Sequence, residues 1–169
     1  MPNYAKETAS IHIEGAKPRV EMSPCMEQVR RKKMQSLEET RAYFEDDRYA
    51  TKLSGIVIED IAEHYALCRM PITEDHKNAL GAVMGGAIYT LADFTFAVAA
   101  NQDDSAKTVT LSSQIIFLSG SKGSELTAEA KFIKDGRTNC FYEVSIRDDL
   151  GKDIAVVTFT GAHVTPKAK

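Results

Sequence analysis

A chain of 169 residues has room for one domain of ordinary size. Such a domain buries roughly two thirds of the surface its unfolded chain exposes, so it needs no metal or disulfide staple to fold. With 43% apolar and 27% charged residues the composition is globular, and a net charge of −3 gives no global attraction to nucleic acid or an anionic membrane.

Three cysteines, Cys25, Cys68 and Cys140, are an odd number without a CxxC pair, which argues against a disulfide framework or a zinc site. His12, His64 and His163 form no metal-ligand spacing with one another. The opening MPNYAKETAS lacks the apolar core of a signal peptide. A soluble, reduced, cytoplasmic protein is expected.

Residues 1–22 are polar, carry Pro2 and Pro18, and read as a mobile arm. Ser23-Pro24 then supplies an N-cap and a proline at the first helical position. From Glu27 to Arg48 twelve of 22 residues are charged, with a thin apolar stripe through Met26, Val29, Met34, Leu37 and Phe44. One or two surface helices follow, with a break near Gln35-Ser36. The basic run Arg30-Arg31-Lys32-Lys33 is balanced by acids downstream and reads as a solvated face. Residues 1–36 are thus an arm, mobile and then partly helical, and 37–166 the folded domain.

From Ser54 to Ile72 near-alternation predicts strand structure, with a bend or bulge near Asp60 and Glu63. Asp75–Leu80 is a polar loop, in which His76 reads as exposed. Gly85-Gly86 opens an apolar helix that Asn101 closes, spanning about 24 Å over residues 85–100. The apolar run 82–100 contains Asp93 near its middle, which costs about 2.5–3.5 kcal/mol in a bilayer, so a buried soluble helix is the better reading than a membrane span. Strands are expected at Thr108–Leu118, Glu125–Lys134, Thr138–Arg147 and Ile154–Val164, with Asp135-Gly136 as a hairpin turn. A helix apolar on all sides must be wrapped. One antiparallel sheet of five or six strands curling around it does so, and the uncovered edge points to a dimer.

Between Lys77 and Asp103 the only charged residue is Asp93. An isolated carboxylate among apolar neighbours is costly to ionise unless it is hydrogen-bonded, so it is kept either by its partners or by its chemistry. Gly85 and Gly86 precede it by about two helical turns, roughly 11–12 Å. Bare N–H groups at a helix start favour negative charge and can form an oxyanion hole, although a Gly-Gly pair also serves close helix–sheet packing. The spacing is too long for both features of one chain to act on one carbonyl. A dimer can join them. No GxSxG or P-loop occurs, so a serine hydrolase or nucleotide phosphatase is unsupported.

The segment HKNALGAVMGGAIYTLADFTFAVAAN, residues 76–101, resembles the PaaI-like branch of the hotdog-fold acyl-CoA thioesterases, which show N-x-x-G-x-x-H-G-G followed by L-A-D. Asn78, Gly81, Gly85, Gly86, Leu91, Ala92 and Asp93 match in identity and spacing, and a weaker likeness runs through about residues 50–164. The resemblance implies an α+β hotdog fold and hydrolysis of acyl- or aryl-CoA thioesters without metal or redox cofactor. In it Asp93 is the general base or nucleophile and the Gly85 N–H of the other subunit the oxyanion donor. Asn78 places water or thioester, and Thr110, with Ser112 as the alternative, holds the water. For the coenzyme it points to Phe117–Lys122 and the hairpin Lys134–Asn139, hence Phe117, Lys122, Lys134, Gly136, Arg137 and Thr138, with the cations otherwise plain surface charges, and for the substrate also to Met84 and Gly86. One departure stands out: the family's histidine before Gly-Gly is Met84, a flexible apolar wall for an acyl group. The expected partners are an acyl-CoA and a second copy, as a dimer or dimer of dimers, with no nucleic acid or membrane. A non-catalytic acyl-CoA sensor and, less well supported for want of a helix histidine, a hydratase or dehydratase are the rival readings.

Overall fold

A computed structural model of the protein describes residues 35–102 and 107–164, all within the unit spanning residues 32–169. The expected mobile arm, the Ser23-Pro24 helix start and Cys25 lie outside the described residues. The first described helix, α1 (Leu37–Phe44), begins at the expected break: the Ser36 hydroxyl accepts the Glu39 N–H at 3.2 Å, and the Glu39 carboxylate accepts the Ser36 N–H at 2.8 Å. A π-helical turn over Tyr49–Leu53 leads into the sheet.

Six strands follow: β1 (Val57–Ala62), β2 (Tyr65–Pro71), β3 (Lys107–Phe117), β4 (Glu125–Asp135), β5 (Asn139–Asp148) and β6 (Asp153–Val164). Helix α2 (Gly85–Ala100) joins β2 to β3, as the glycine pair and Asn101 predict. All pairings are antiparallel, in the order β1-β2-β4-β5-β6-β3. The β1–β2 segment is irregular at Glu59, close to the expected bend, and turns at His64, whose φ is 58°. A 3₁₀ turn over Glu74–His76 runs into the start of the expected loop.

The alternating faces of β2, β4, β5 and β6 bury Ala66, Cys68, Met70, Ala128, Val144 and Val157 against α2. Small residues across the sheet and alanines along α2 let helix and sheet approach closely. Around Phe96, Phe159 stacks at 4.8 Å and Tyr142 meets it edge-on at 5.4 Å. The sheet thus covers most of α2 and is the curved hotdog sheet that the resemblance implies. No described helix is long and apolar enough to cross a membrane.

The sheet has two edge strands, β1 and β3, and β3, paired only with β6, exposes Val109, Leu111, Ile116 and Phe117, Leu111 to 64%. An eleven-residue edge with exposed apolar side chains can pair with another strand. A β-bulge at Leu111 changes which residues face α2: Thr108 and Thr110 pair with His163 and Gly161, whereas beyond the bulge Ser113, Ile115 and Phe117 pair with Phe159, Val157 and Ala155.

Candidate active site

One stripe of α2 faces β3. Gly85, Tyr89 and Asp93 follow at intervals of four residues and so neighbour one another along one side of the helix, and Asn101 caps its C-terminal end. Each meets β3. An added Cβ on Gly85 would stand 2.9 Å from Phe117 Cζ. The Tyr89 hydroxyl lies 2.6 Å from Ser113 Oγ, Thr110 Oγ1 donates to Asp93 Oδ1 at 2.8 Å, and Asn101 Oδ1 accepts the Thr108 N–H at 2.8 Å. Of the two hydroxyls the sequence leaves open, Thr110 is therefore the one on Asp93. Ser112 follows the bulge and faces away.

Asp93 is half-buried on a helix that carries no other charge. Burial pushes its carboxyl above the ordinary value of 3.8, the Thr110 hydrogen bond pulls part of the way back, and the nearby Asp47 carboxylate raises it further. A carboxylate with reduced hydration and one hydroxyl partner is a basic oxygen poised to take a proton.

The other end of the stripe is electropositive. Met84 is the N-cap and provides no side-chain cap, and among the described residues neither the Gly85 nor the Gly86 N–H donates to a carbonyl. Gly85 also lines a cleft of about 350 Å³ with Val83, Ile88 and the segment Phe117–Ser121. A lone carboxylate and a bare helix start thus sit on one helix face beside an unpaired strand edge.

Sequence comparison gives this arrangement its kin. The profile of the thioesterase superfamily matches residues 80–155, which include Gly85, Asp93 and Thr110. The acyl-coenzyme A thioesterase PaaI of Escherichia coli is 30% identical over 115 residues, 68% of this chain and 81% of that protein. Human acyl-coenzyme A thioesterase 13 is 30% identical over 126 residues, 72% and 89% of the two chains. The chain belongs to the thioesterase superfamily, in its PaaI-like branch. Solved structures agree on the fold. That of E. coli PaaI, from the phenylacetic acid degradation operon, superposes with a TM-score of 0.70 at 24% identity, covering 76% of this chain and 94% of that one. A Streptococcus pneumoniae hypothetical thioesterase with coenzyme A gives 0.66 at 23% identity, covering 74% and 99%.

Within this PaaI-like chain the remaining expected residues fall into separate places. Asn78 Oδ1 accepts the N–H groups of Leu80 and Ala82 at 2.9 and 3.2 Å, so its carbonyl shapes the loop before α2. His76 is not exposed, as its loop position predicts, but 7% accessible, with Nδ1 accepting the Thr73 N–H at 3.1 Å. The 3₁₀ turn folds its ring inward. Met84 is half-exposed, and its Cε lies 2.9 Å from where a Gly86 Cβ would be. Phe117 is in the cleft, and Lys122 is an exposed residue next to it. Lys134, Gly136, Arg137 and Thr138 are exposed at the far end of β4, whose 11 residues extend roughly 35 Å. One subunit therefore does not bring its two basic segments together.

Three members of the site carry no motif. Tyr89 was legible as the residue one helical turn before Asp93, and Ser113 only through the bulge. Asp47 belongs to the charged stretch before the domain's first strand, where nothing in the sequence separates it from its solvated neighbours.

Proposed function

We propose that the chain hydrolyses acyl-CoA or aryl-CoA thioesters to the free acid and coenzyme A. The observation that carries this is the half-buried Asp93 carboxylate held by Thr110 beside an open, apolar strand edge. Asp93 takes a proton from water as that water attacks the thioester carbonyl carbon. The oxyanion of the tetrahedral intermediate is met by a helix-start N–H, that of Gly85. Collapse breaks the C–S bond, and the proton on Asp93 passes to the departing thiolate. Every step uses protein groups and water, with no further cofactor.

Gly85 and Asp93 stand eight residues apart on one helix, about 12 Å, so the two groups come from different subunits. Antiparallel pairing of two β3 edges would reverse one subunit against the other. It would turn the start of one α2 toward the Asp93 of its partner, and one subunit's Phe117–Lys122 segment toward the other's Lys134–Thr138 hairpin. The coenzyme's phosphates then have cations on both sides. A homodimer, alone or doubled, is the unit that this chemistry requires. The described cysteines, Cys68 and Cys140, are free and buried, which suits a reducing cytoplasm.

The test is thiol release from aryl-CoA and short- to long-chain acyl-CoA substrates, with Asp93→Asn alongside and the oligomeric state measured by light scattering. Turnover by a dimer or tetramer, lost in Asp93→Asn, is the expected result. Wild-type kcat in that variant would refute the role of Asp93. Binding of CoA thioesters without turnover would support the sensor reading instead, which Met84 favours by standing where the family has histidine.

A further inference from the structure

The proposed reaction leaves one set of reactive side chains unused. Asp135 ends β4, Cys140 lies near the start of β5, and His163 lies near the end of β6. The register makes Asp135 and Cys140 cross-strand partners, and Cys140 and Gly161 partners in turn, with His163 two residues further along the same face. Asp135 reaches that face because of a second bulge, at Ile133, which moves the α2-facing positions of β4 from Phe132 to Asp135. One ligand atom from each of Asp135, Cys140 and His163 lies within 4.8 Å of the other two.

The surroundings hold these atoms in place. His163 Nε2 is 2.7 Å from Asp135 Oδ1, and its Nδ1 is 3.1 Å from Thr108 Oγ1. The His163 N–H donates to the Thr138 carbonyl at 2.9 Å. One ring nitrogen is thus held by a hydroxyl while the other is turned to the carboxylate, the arrangement that outer partners impose on metal-binding histidines. At Gly161 a Cβ would stand 2.7 Å from Cys140 Sγ and 2.7 Å from Thr108 Cγ2, so the absence of a side chain leaves the sulfur its place.

We propose that Asp135, Cys140 and His163 bind one divalent cation of borderline softness, Zn²⁺ by preference, with a water in the fourth position. Thiolate, imidazole and carboxylate together suit Zn²⁺ better than Mg²⁺ or Ca²⁺, which take oxygen. The Asp135–His163 hydrogen bond opens to roughly 3.4 Å between ligand atoms about 2.1 Å from a tetrahedral ion. Asp135 is 45% exposed on a hairpin, so the adjustment is a side-chain movement. Bound there, the ion cross-links three strands and fixes the hairpin that carries Lys134 and Arg137. Residue spacing gives no sign of it because the ligands lie on three strands.

The experiment uses the full chain, freed of metal with a chelator and titrated with Co²⁺ and Zn²⁺. We expect uptake of one Co²⁺ per chain with a thiolate-to-cobalt charge-transfer band, and a rise in Tm with Zn²⁺ but not with Mg²⁺. Cys140→Ser removes the band. Asp135→Asn, at an exposed position and still able to accept from His163, folds, and binds at least about tenfold more weakly. No band in the wild type, a band that persists in Cys140→Ser, or undiminished affinity in Asp135→Asn would each overturn the proposal.

Discussion

Thr110 supplies the one direct polar contact on the Asp93 carboxylate among the described residues, and Thr110→Val removes it with little change in shape. Valine keeps the β-branch and the strand preference, and the lost hydroxyl makes no other described hydrogen bond. A hydrogen bond to a charged group contributes about 1.5–3 kcal/mol net. Thr110 is exposed on the unpaired edge, which places the contact near the lower figure. At about 1.4 kcal/mol for each factor of ten, a contact made fully in the transition state sets the ceiling, so kcat/KM falls by up to roughly tenfold. The direction in pH is also fixed. The hydroxyl lowers the Asp93 pKa against the effect of burial, so its removal moves the acid limb of the kcat/KM profile to higher pH. Thr110→Ser retains the donor and the wild-type limb. Thiol-release kinetics across a pH series for the three proteins provides the measurement. If the valine variant kept both its rate and its acid limb, Thr110 would have no hold on the reacting carboxylate and the reasoning would fail.

Other consequences are as direct. The raised Asp93 pKa means that the folded chain binds this proton more tightly than the unfolded one; the resulting stability is full below the ordinary value of 3.8 and is lost as pH rises through the folded value. Asp93→Asn is therefore expected to melt above the wild type at pH 7, with the gap closing in acid; a lower Tm at neutral pH would contradict this. Gly85→Ala sets a Cβ 2.9 Å from a half-exposed Phe117 ring that can turn aside, so Tm moves by only a few degrees while turnover falls about tenfold or more through crowding at the helix start. Equal losses of stability and rate would point to packing alone. Phe96→Ala empties the aromatic centre of the core and costs about 3–5 kcal/mol. Calorimetry should show a Tm lower by roughly 6–20 °C.

Much of this was legible in the chain. The ends of α2 follow from Gly85-Gly86 and Asn101, because helix-start glycines and a polar C-cap act locally. The bounds of β3 to β6 agree within one residue, since alternation and the Asp135-Gly136 turn are local as well, whereas the first strand starts at Val57 and not Ser54, because a π-helical turn runs up to it. Strand order is a long-range property and was open beyond the hairpins. So was the choice between Thr110 and Ser112: both are even-numbered, and only the bulge between them puts them on opposite faces. The basic residues Lys122 and Arg137 read as one binding set because sequence motifs carry no distances, whereas β4 holds them a full strand length apart. His76 read as exposed because nothing local shows that the 3₁₀ turn folds it inward.

The bulge at Leu111 has a consequence for inheritance. On either side of it the strand keeps different time, with even residues inward before and odd residues after. Changing a side chain on β3 alters one position, but deleting a single residue there restores strict alternation. Half the strand must then turn over: either Thr108 and Thr110 leave Asn101 and Asp93, or Ser113, Ile115 and Phe117 leave Tyr89 and the helix start. Point substitutions change these contacts one at a time, whereas a one-codon loss in β3 separates those at Asp93 from those at the helix start at once. Relatives that retain the chemistry should therefore vary in the identity of these residues far more freely than in their number.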